Sequence, residues 1–288
     1  MTSTPTSVRP ARRTLARFRS APVHVIVWLY AAALALPLYF LIVSSFKDNT
    51  EIFQNGFGLP TTWHFDNFAV AWEKVELGTA LVNSAIVTVL TLVFLVIVVV
   101  PASYGLARST GVIGRLIERS FALGFLVPGF ASIVPTVLLA IALGLYQTKT
   151  FLVLNYVAAA VPLSVILVTQ YMRAIPHELD ESARIDGANR LQILLRIYLP
   201  LVAPVLATVL LVNFINVWNE YLIALVIAGP SAEARTVQVA LPILITRVSA
   251  QYGLLAAGSL ITLVPVYLVY ALLRRRMEDA LISGATKG

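Results

Sequence analysis

The charged side chains between residues 174 and 200 interrupt a chain that is otherwise strongly apolar. Pro176 suits the first turn of a helix, where its missing N–H costs nothing, and acidic residues near a helix N-terminus are stabilised by the helix dipole. The charged residues of this segment include Glu178, Asp180, Glu181, Arg184 and Asp186. Such charges can form ion pairs with another protein or can form a solvated face.

A second polar group lies within an apolar stretch further along the chain. Asn213, Asn216 and Glu220 are spaced three and four residues apart, which places them on one helical face, and Asn219 is adjacent. An ionisable group in such surroundings is costly unless it faces water or the interior of a helix bundle. These residues can line a translocation pathway or gate, or they can form interhelical hydrogen bonds.

The composition shows what surrounds these groups. Of 288 residues, 59% are hydrophobic and only 12% are charged, whereas soluble domains carry about 25% charged residues. A helix needs about 20 apolar residues to cross a bilayer. Six stretches meet this requirement: 23–46, 80–106, 117–145, 151–173, 201–228 and 254–273.

These stretches predict helices rather than strands, because a run such as 87–96 shows no alternation of apolar and polar residues. We therefore predict an all-α membrane protein with six transmembrane helices. Prolines inside membrane helices are tolerated but bend them. The prolines that predict kinks are Pro37, Pro101, Pro128, Pro135, Pro162 and Pro265.

The basic residues predict the orientation, since Lys and Arg concentrate on the cytoplasmic side of membrane proteins. With six spans, five basic residues fall on one side, namely Lys47, Lys74, Lys149, Arg235 and Arg247, and the others of the 21 fall on the opposite side. Both termini are therefore predicted to be cytoplasmic. We expect a basic cytoplasmic arm at 1–22, a permease domain at 23–273 and a cytoplasmic tail at 274–288.

The orientation places the segment 174–200 in the cytoplasm, and its spacing predicts two short helices. Leu179 and Ala183 share one face, and Gly187 supplies a position that can bend or adopt a positive φ. Helical spacing resumes after this glycine and ends at Leu199 and Pro200. We expect a helix, a turn and a second helix on the inner membrane surface.

This segment resembles the EAA loop of ABC importer permeases. The family pattern is Glu-Ala-Ala, three residues, Gly, nine residues, Ile, one residue, Leu-Pro; this chain departs from it only at Ser182, a small change in volume. The residues that carry the pattern are Glu181, Ser182, Ala183, Gly187, Ile197, Leu199 and Pro200, with Asp186 beside the glycine.

Further motifs are similar to those of carbohydrate-importer permeases of the maltose-transporter type, and the similarity runs from about residue 23 onward. They are 44–47 (Ser-Ser-Phe-Lys), Asn83-Ser84, 186–188 (Asp-Gly-Ala), 218–221 (Trp-Asn-Glu-Tyr) and the tail 283–288. The chain looks like the smaller, six-helix permease of such a pair. The resemblance implies a type I ABC importer permease fold with a cytoplasmic coupling helix, in a bacterial or archaeal cell membrane.

The resemblance also implies a division of labour. Such a permease pairs with a homologous permease, rests on two cytoplasmic ATPase subunits that use ATP and Mg, and receives its solute from an external binding protein. Glu181 would pair with a basic residue of the ATPase, Ala183 would pack in its groove, and Gly187 would set the bend. The chain itself has no phosphate-binding loop, because no Gly is followed by Lys.

The sequence gives no sign of a catalytic, metal or cofactor site. The chain has no Cys, and its three His residues are far apart in the predicted topology. We expect a transport subunit, not an enzyme, that carries a sugar or oligosaccharide. The alternatives are an ion-coupled secondary transporter with Glu220 as its ion site, an importer of glycerol phosphate, and a membrane protein with a purely structural role.

Overall fold

The computed structural model describes residues 13–229, 231–245 and 250–285, and the side chains within 23–272. Residues 1–12 of the predicted basic arm, 286–288 of the predicted tail, and Arg247 lie outside the described residues. Helix α1 already begins at Arg13 and the last helix continues to Ala285. The predicted limits of the arm and the tail, at 22 and 274, therefore remain predictions.

The described residues form helices and no named strand, which confirms the all-α class. One isolated antiparallel bridge joins Ile245 and Ala250. The α-helices are α1 (Arg13–Ser44), α2 (Asn49–Gln54), α3 (Asp66–Lys74), α4 (Leu77–Ala107), α5 (Val112–Phe125), α6 (Ile133–Ala142), α7 (Lys149–Arg173), α8 (Glu178–Ile185), α9 (Arg190–Ile193), α10 (Leu199–Asn219), α11 (Leu222–Ile227), α12 (Val237–Ala240) and α13 (Tyr252–Ala285).

Five helical segments of the described chain are long and apolar enough to cross a membrane. They are Val23–Ser44, Leu77–Ala107, Lys149–Arg173, Arg190–Trp218 and Tyr252–Leu272. They agree with five of the six predicted spans to within a few residues, except that the span predicted at 201–228 begins earlier and ends earlier.

The predicted third span, 117–145, is not one straight helix. Its two halves, Val112–Phe125 and Gly129–Ala142, meet at 89°. Pro128 lies at the break in an extended conformation (φ −67°, ψ 127°), and a proline cannot donate the hydrogen bond that would continue the helix. The described residues therefore contain five unbroken helices of spanning length, and up to six spans if this bent pair crosses as one.

The bundle is organised around α4, α7 and α10, which pack against one another. At one end, their buried apolar residues form a cluster that also includes Ala183 of α8 and Ile193 of α9. Helix α5 lies against α7, where Glu118 and Arg173 form a two-pronged ion pair with N–O distances of 2.7 and 2.8 Å. Packing thus fixes α8 and α9 against the same end of three spans.

The opposite end of the bundle is held by the polar side chains of the Asn83-Ser84 motif. Asn83 donates to the carbonyl of Arg235 at 3.0 Å and accepts from Lys149 Nζ at 2.8 Å. Ser84 Oγ accepts from the backbone N–H of Val237 at 2.9 Å. These contacts tie α4 to α7 and to the start of α12.

The motif 44–47, where α1 ends, also forms buried hydrogen bonds that join separate segments. Lys47 is fully buried and its Nζ donates to the carbonyls of Asn55 and Gly58 at 2.6 and 2.7 Å. Asn67 of α3 donates to the carbonyls of Ser45 and Lys47 at 2.9 and 3.0 Å. A buried ammonium is expensive unless hydrogen-bonded, so these bonds fold the segment after α1 into one compact piece.

Candidate functional site

The short helix α8 begins and ends with well-defined capping geometry. Asp180 and Glu181 donate their backbone N–H groups to the carbonyl of His177 at 2.9 and 3.2 Å, closing the first turn. The first turn also contains three acidic side chains, which favour its positive dipole end. Glu178–Ile185 is therefore the helix that the sequence predicts before Gly187.

Gly187 ends α8 with a positive φ of 78°. The N–H of Ala188 reaches the carbonyl of Ala183 at 2.9 Å, and the N–H of Gly187 reaches the carbonyl of Arg184 at 3.0 Å. This pair of bonds is the Schellman arrangement, in which a left-handed residue reverses the chain after a helix. Asn189 and Gln192 then form a capping box that starts α9.

Arg108, at the end of α4, ties α8 to the bundle. Its Nε lies 2.9 Å from the carboxylate of Asp180, and both side chains are at most 10% exposed. Its guanidinium also donates to the carbonyl of Ile175 at 3.1 Å and to the hydroxyl of Tyr198, and its Cζ lies 5.0 Å from the centre of the Tyr198 ring. Helix α8 is therefore fastened to α4 and to the helix that carries Tyr198.

The outward side of α8 and the residue directly after it carry three of the eight predicted coupling residues. Glu181, Ser182 and Asp186 are exposed, and no hydrogen bond or ion pair engages their side chains within the described chain. Ile185 is 86% exposed. Charged and apolar groups thus stand side by side on a surface that nothing in the described part of the chain covers.

Ala183 corrects the expectation that it packs into a groove of another protein. It is 9% exposed and belongs to the buried cluster of α4, α7 and α10. The physical reason is helical spacing, because Asp180 and Ala183, three residues apart, share the inward face. Leu179, predicted on the same face as Ala183, is instead 41% exposed.

The second predicted short helix is also wrong in its extent. Helix α9 runs without a break through a π-helical segment, Leu194–Tyr198, into α10. Pro200 follows the π-helical segment and does not end this continuous helix. Ile197 and Leu199 are partly buried and pack against the core cluster. They therefore contribute to the interior of the bundle and do not form an outer surface.

A cavity of about 350 Å³ opens between α7 and α10. Three of the four predicted pathway residues, Asn213, Asn216 and Glu220, line it. Asn213 Nδ2 lies 3.3 Å from Ser164 Oγ of α7 and donates to the carbonyl of Val209 at 2.9 Å. The lining is otherwise apolar apart from Tyr156 and Thr208, a combination typical of sites for small organic molecules.

Asn219 does not line this cavity. Its side chain donates to the carbonyl of Ile215 at 2.8 Å and accepts from Gln238 at 3.3 Å. This fourth predicted pathway residue therefore points away from the cavity. The reason is helical spacing, because Asn219 is adjacent to the face that carries Asn216 and Glu220 and is not on it.

Glu220 lies where α10 ends and α11 begins, and its carboxylate accepts three hydrogen bonds. It accepts from the hydroxyl of Tyr156 at 2.7 Å and from the backbone N–H groups of Ile223 and Ala224 at 2.8 and 2.9 Å. The latter two bonds cap the first turn of α11. Glu220 therefore explains why the helix predicted to reach 228 stops at Asn219 and restarts.

Sequence reasoning missed Arg108, Tyr198 and Tyr156. Arg108 counted only toward the orientation, because its partners Asp180 and Tyr198 are distant along the chain. One signal was available, since Asp180 falls on the apolar face that Ala183 defines, where a carboxylate needs a buried cation.

Apolar spans, a largely apolar cavity with a few polar side chains between two of them, and a short helix packed against their ends are typical of a multi-pass helical membrane transport protein. Residues 99–279 match the model of the binding-protein-dependent transport system inner membrane component family. The chain belongs to this family.

Curated relatives match along nearly the whole chain. The diacetylchitobiose uptake system permease protein NgcG of Streptomyces coelicolor is 32% identical over 262 residues, covering 91% of this chain and 87% of its own. The melibiose/raffinose/stachyose import permease protein MelC of Bacillus subtilis is 30% identical over 267 residues, covering 92% and 96%. The resemblance to ABC transporter permeases is thereby confirmed.

The fold is shared with a solved structure. A chain of a bacterial ABC transporter involved in the import of the acidic polysaccharide alginate superimposes with a TM-score of 0.79 at 24% identity, covering 94% of this chain and 99% of the other. This confirms the ABC importer permease fold that the sequence predicts.

Proposed function

We propose that this chain is a permease subunit of an ATP-driven, binding-protein-dependent importer of an uncharged sugar or oligosaccharide. The family and the relatives that import diacetylchitobiose or melibiose, raffinose and stachyose support this proposal. Two structural features support it further: a cavity partly lined by polar side chains between α7 and α10, and the exposed outer face of α8. The chain's own task is to form half of the pathway and to move when its partners do.

The partners follow from this division of labour. A homologous permease completes the pathway, two cytoplasmic ATPase subunits hydrolyse ATP with Mg, and an external binding protein delivers the sugar. Lys149 lies at the same end of the bundle as Asn83, whereas Arg108 lies at the other end with α8. This separation agrees with the predicted orientation, in which basic residues are in excess on the cytoplasmic side, and both termini are proposed to be cytoplasmic.

The observation that carries the coupling role is the two-sided character of α8. Its inner face is bound to the bundle through the Arg108–Asp180 ion pair and Ala183. Its outer face presents Glu181 and Ile185 without a partner in the described chain. A helix held so firmly on one side and open on the other acts as a lever when closing ATPases push on it.

The cavity favours an uncharged cargo over glycerol phosphate. None of the residues that line it is Lys, Arg or His, whereas phosphate recognition uses cationic side chains or helix N-termini. Asparagine, serine and threonine side chains suit sugar hydroxyls, because they both donate and accept hydrogen bonds. The lining thus supports the sugar assignment independently of the relatives.

The ion-coupled alternative has less support from the same cavity. An ion or proton site needs a carboxylate that is available to its ligand, whereas Glu220 accepts three hydrogen bonds, two of which cap α11. A structural role without transport leaves the cavity and the open face of α8 unexplained. Coupled transport accounts for both features.

Reconstitution of the complete complex tests the proposal. The chain, its partner permease and the ATPase would be placed in liposomes, and the binding protein would be supplied with radiolabelled diacetylchitobiose, raffinose, trehalose or glycerol 3-phosphate. The proposal predicts uptake of one of the uncharged sugars that requires ATP and the ATPase. Uptake driven by a proton or sodium gradient without the ATPase, or uptake of glycerol 3-phosphate alone, would contradict it.

A further inference from the structure

We infer that Arg108 is the positioning residue that makes α8 and the spans α4 and α10 move as one body, an inference that rests on the proposed coupling role of α8. Arg108 belongs to none of the motifs that resemble the EAA loop. It lies at the C-terminal end of α4, directly after Ala107. Its side chain is the point where four separate parts of the chain meet.

The contacts of the Arg108 guanidinium reach three other parts of the chain: α8, the connection before it and the helix that contains Tyr198. One joins the carboxylate of Asp180 in the first turn of α8 at 2.9 Å. Another joins the carbonyl of Ile175, between α7 and α8, at 3.1 Å. Further contacts reach His177 Nε2 at 3.2 Å and the Tyr198 hydroxyl. No lysine could reproduce this set, because a single ammonium lacks the planar fork of five N–H donors.

The contacts of Arg108 lie in buried surroundings. Asp180 is only 4% exposed, and Tyr198 is fully buried. Tyr104 of α4 packs edge-on against Tyr198 with ring centres 4.8 Å apart. Removing one partner of a buried ion pair leaves the other charge uncompensated, so Arg108 and Asp180 hold each other in place.

The helix that contains Tyr198 has an unusual geometry. Tyr198 ends the π-helical segment Leu194–Tyr198, within the continuous helix that leads from α9 into α10. π-Helical turns inside α-helices occur frequently at functional sites. Arg108 therefore links α8 to the start of one span and to the end of another at the place where the helix geometry changes.

The mechanical consequence is specific. When an ATPase pushes on the open face of α8, the Arg108 contacts oblige α4 and α10 to follow. Without them, α8 remains attached through the packing of Ala183 and through its connections at Ile175 and Gly187, of which Gly187 is a turn with positive φ. Helix α8 would then yield without moving the spans, and ATP would be hydrolysed without transport.

The test compares Arg108→Gln and Arg108→Lys with Arg115→Gln in the reconstituted complex. Arg115 lies on α5, is exposed, and has no side-chain ion pair within the described chain. We expect all variants to copurify with the ATPase and to hydrolyse ATP at close to the wild-type rate. Sugar uptake per ATP should fall about tenfold in both Arg108 variants, a typical size for a coupling effect, and remain unchanged in Arg115→Gln.

A second variant covers the case in which the Arg108 variants fail to assemble. Tyr198→Phe removes only the hydroxyl that Arg108 contacts and retains the packed ring, and we expect about a fivefold loss of uptake per ATP. Because the chain has no native cysteine, a spin label can be attached at a single introduced cysteine to measure the mobility of α8. A spin label on Ile185→Cys should become more mobile when Arg108→Gln or Tyr198→Phe is added.

The results separate this inference from the proposed function. Wild-type complex that shows no ATP-dependent uptake would contradict the proposed function itself. Wild-type complex that transports normally, together with unchanged uptake per ATP and unchanged label mobility in the Arg108 and Tyr198 variants, would overturn the inference about Arg108 alone. Loss of ATP hydrolysis in parallel with uptake would also overturn it, because a purely structural role predicts that outcome.

Discussion

The hydroxyl of Tyr156 in α7 donates a 2.7 Å hydrogen bond to the carboxylate of Glu220, at the junction of α10 and α11. The same carboxylate caps α11 through the N–H groups of Ile223 and Ala224. Glu220 thus joins three helices at one wall of the cavity. The carboxylate therefore has a structural role, which distinguishes it from the ion-binding carboxylate of an ion-coupled transporter.

Replacing Glu220 tests this distinction. Glu220→Ala should destabilise the protein by about 0.5–2 kcal/mol, the usual cost of losing a helix cap, and thermal unfolding in detergent would measure it. Glu220→Gln retains one acceptor oxygen and should lose less stability. It should also keep ATP-dependent uptake, so abolished uptake in a stable Glu220→Gln protein would instead favour an ion site.

The polar wall of the cavity can be tested with a matched pair of asparagines. Asn213→Leu removes an amide that lines the cavity, whereas Asn219→Leu removes one that faces away from it. A hydrogen bond lost from a buried polar partner costs about 1–3 kcal/mol. We expect the Michaelis constant for uptake to rise or the maximal rate to fall in Asn213→Leu only. Equal effects at both positions would remove the cavity from the pathway.

The turn after α8 depends on a glycine. Gly187 has a φ of 78°, a region that costs other L-residues about 1–2 kcal/mol. Gly187→Ala should therefore lower stability by about that amount, and Gly187→Pro should be harsher because proline fixes φ near −65°.

Gly105→Ala is the control for the turn, because a Cβ there meets no atom within 4 Å and the residue lies inside α4. Alanine favours a helix over glycine by about 0.5–1 kcal/mol, so this variant should be neutral or slightly stabilised in thermal unfolding. A Gly187→Ala protein as stable as Gly105→Ala would contradict the strained turn.

The hydrogen bonds of Asn83 with Lys149 and Arg235, at the end of the bundle opposite α8, should contribute to stability and not to coupling. Asn83→Leu leaves the Lys149 ammonium and the Arg235 carbonyl without their partner, which should cost about 1–3 kcal/mol in thermal unfolding. Val82→Leu, an exposed neighbour, is the control. Uptake per ATP should be unchanged in Asn83→Leu, and a selective loss of coupling would show that these hydrogen bonds take part in coupling.

The sequence was sufficient to predict most spans because lipid burial demands long apolar helices whatever their packing. It also predicted the glycine turn, since the spacing around Gly187 follows local rules. It could not predict the 89° bend at Pro128, because the same proline is compatible with a mild kink or a complete break. That choice depends on tertiary contacts.

The candidate site shows the same division. The shared face of Asn213, Asn216 and Glu220 followed from helical periodicity, and all three line one cavity. The burial of Ala183 and the Arg108–Asp180 pair depend on how α8 packs against α4, which periodicity alone does not determine. The engagement of Glu220 by Tyr156 likewise needs the position of α7.

The most direct test of the account is charge reversal at Glu181, on the open face of α8. Glu181→Lys should insert and unfold like the wild type, because this side chain has no partner within the described chain. Glu233→Lys, an exposed acid beyond α11 and before α12, is the control at the other end of the bundle.

The decisive measurement is ATP-dependent sugar uptake by liposomes that contain the whole complex and its loaded binding protein. The account predicts that Glu181→Lys lowers uptake about tenfold or more, while Glu233→Lys transports normally. Wild-type uptake by a stably inserted Glu181→Lys complex would contradict the claim that α8 is where the ATPase drives this permease.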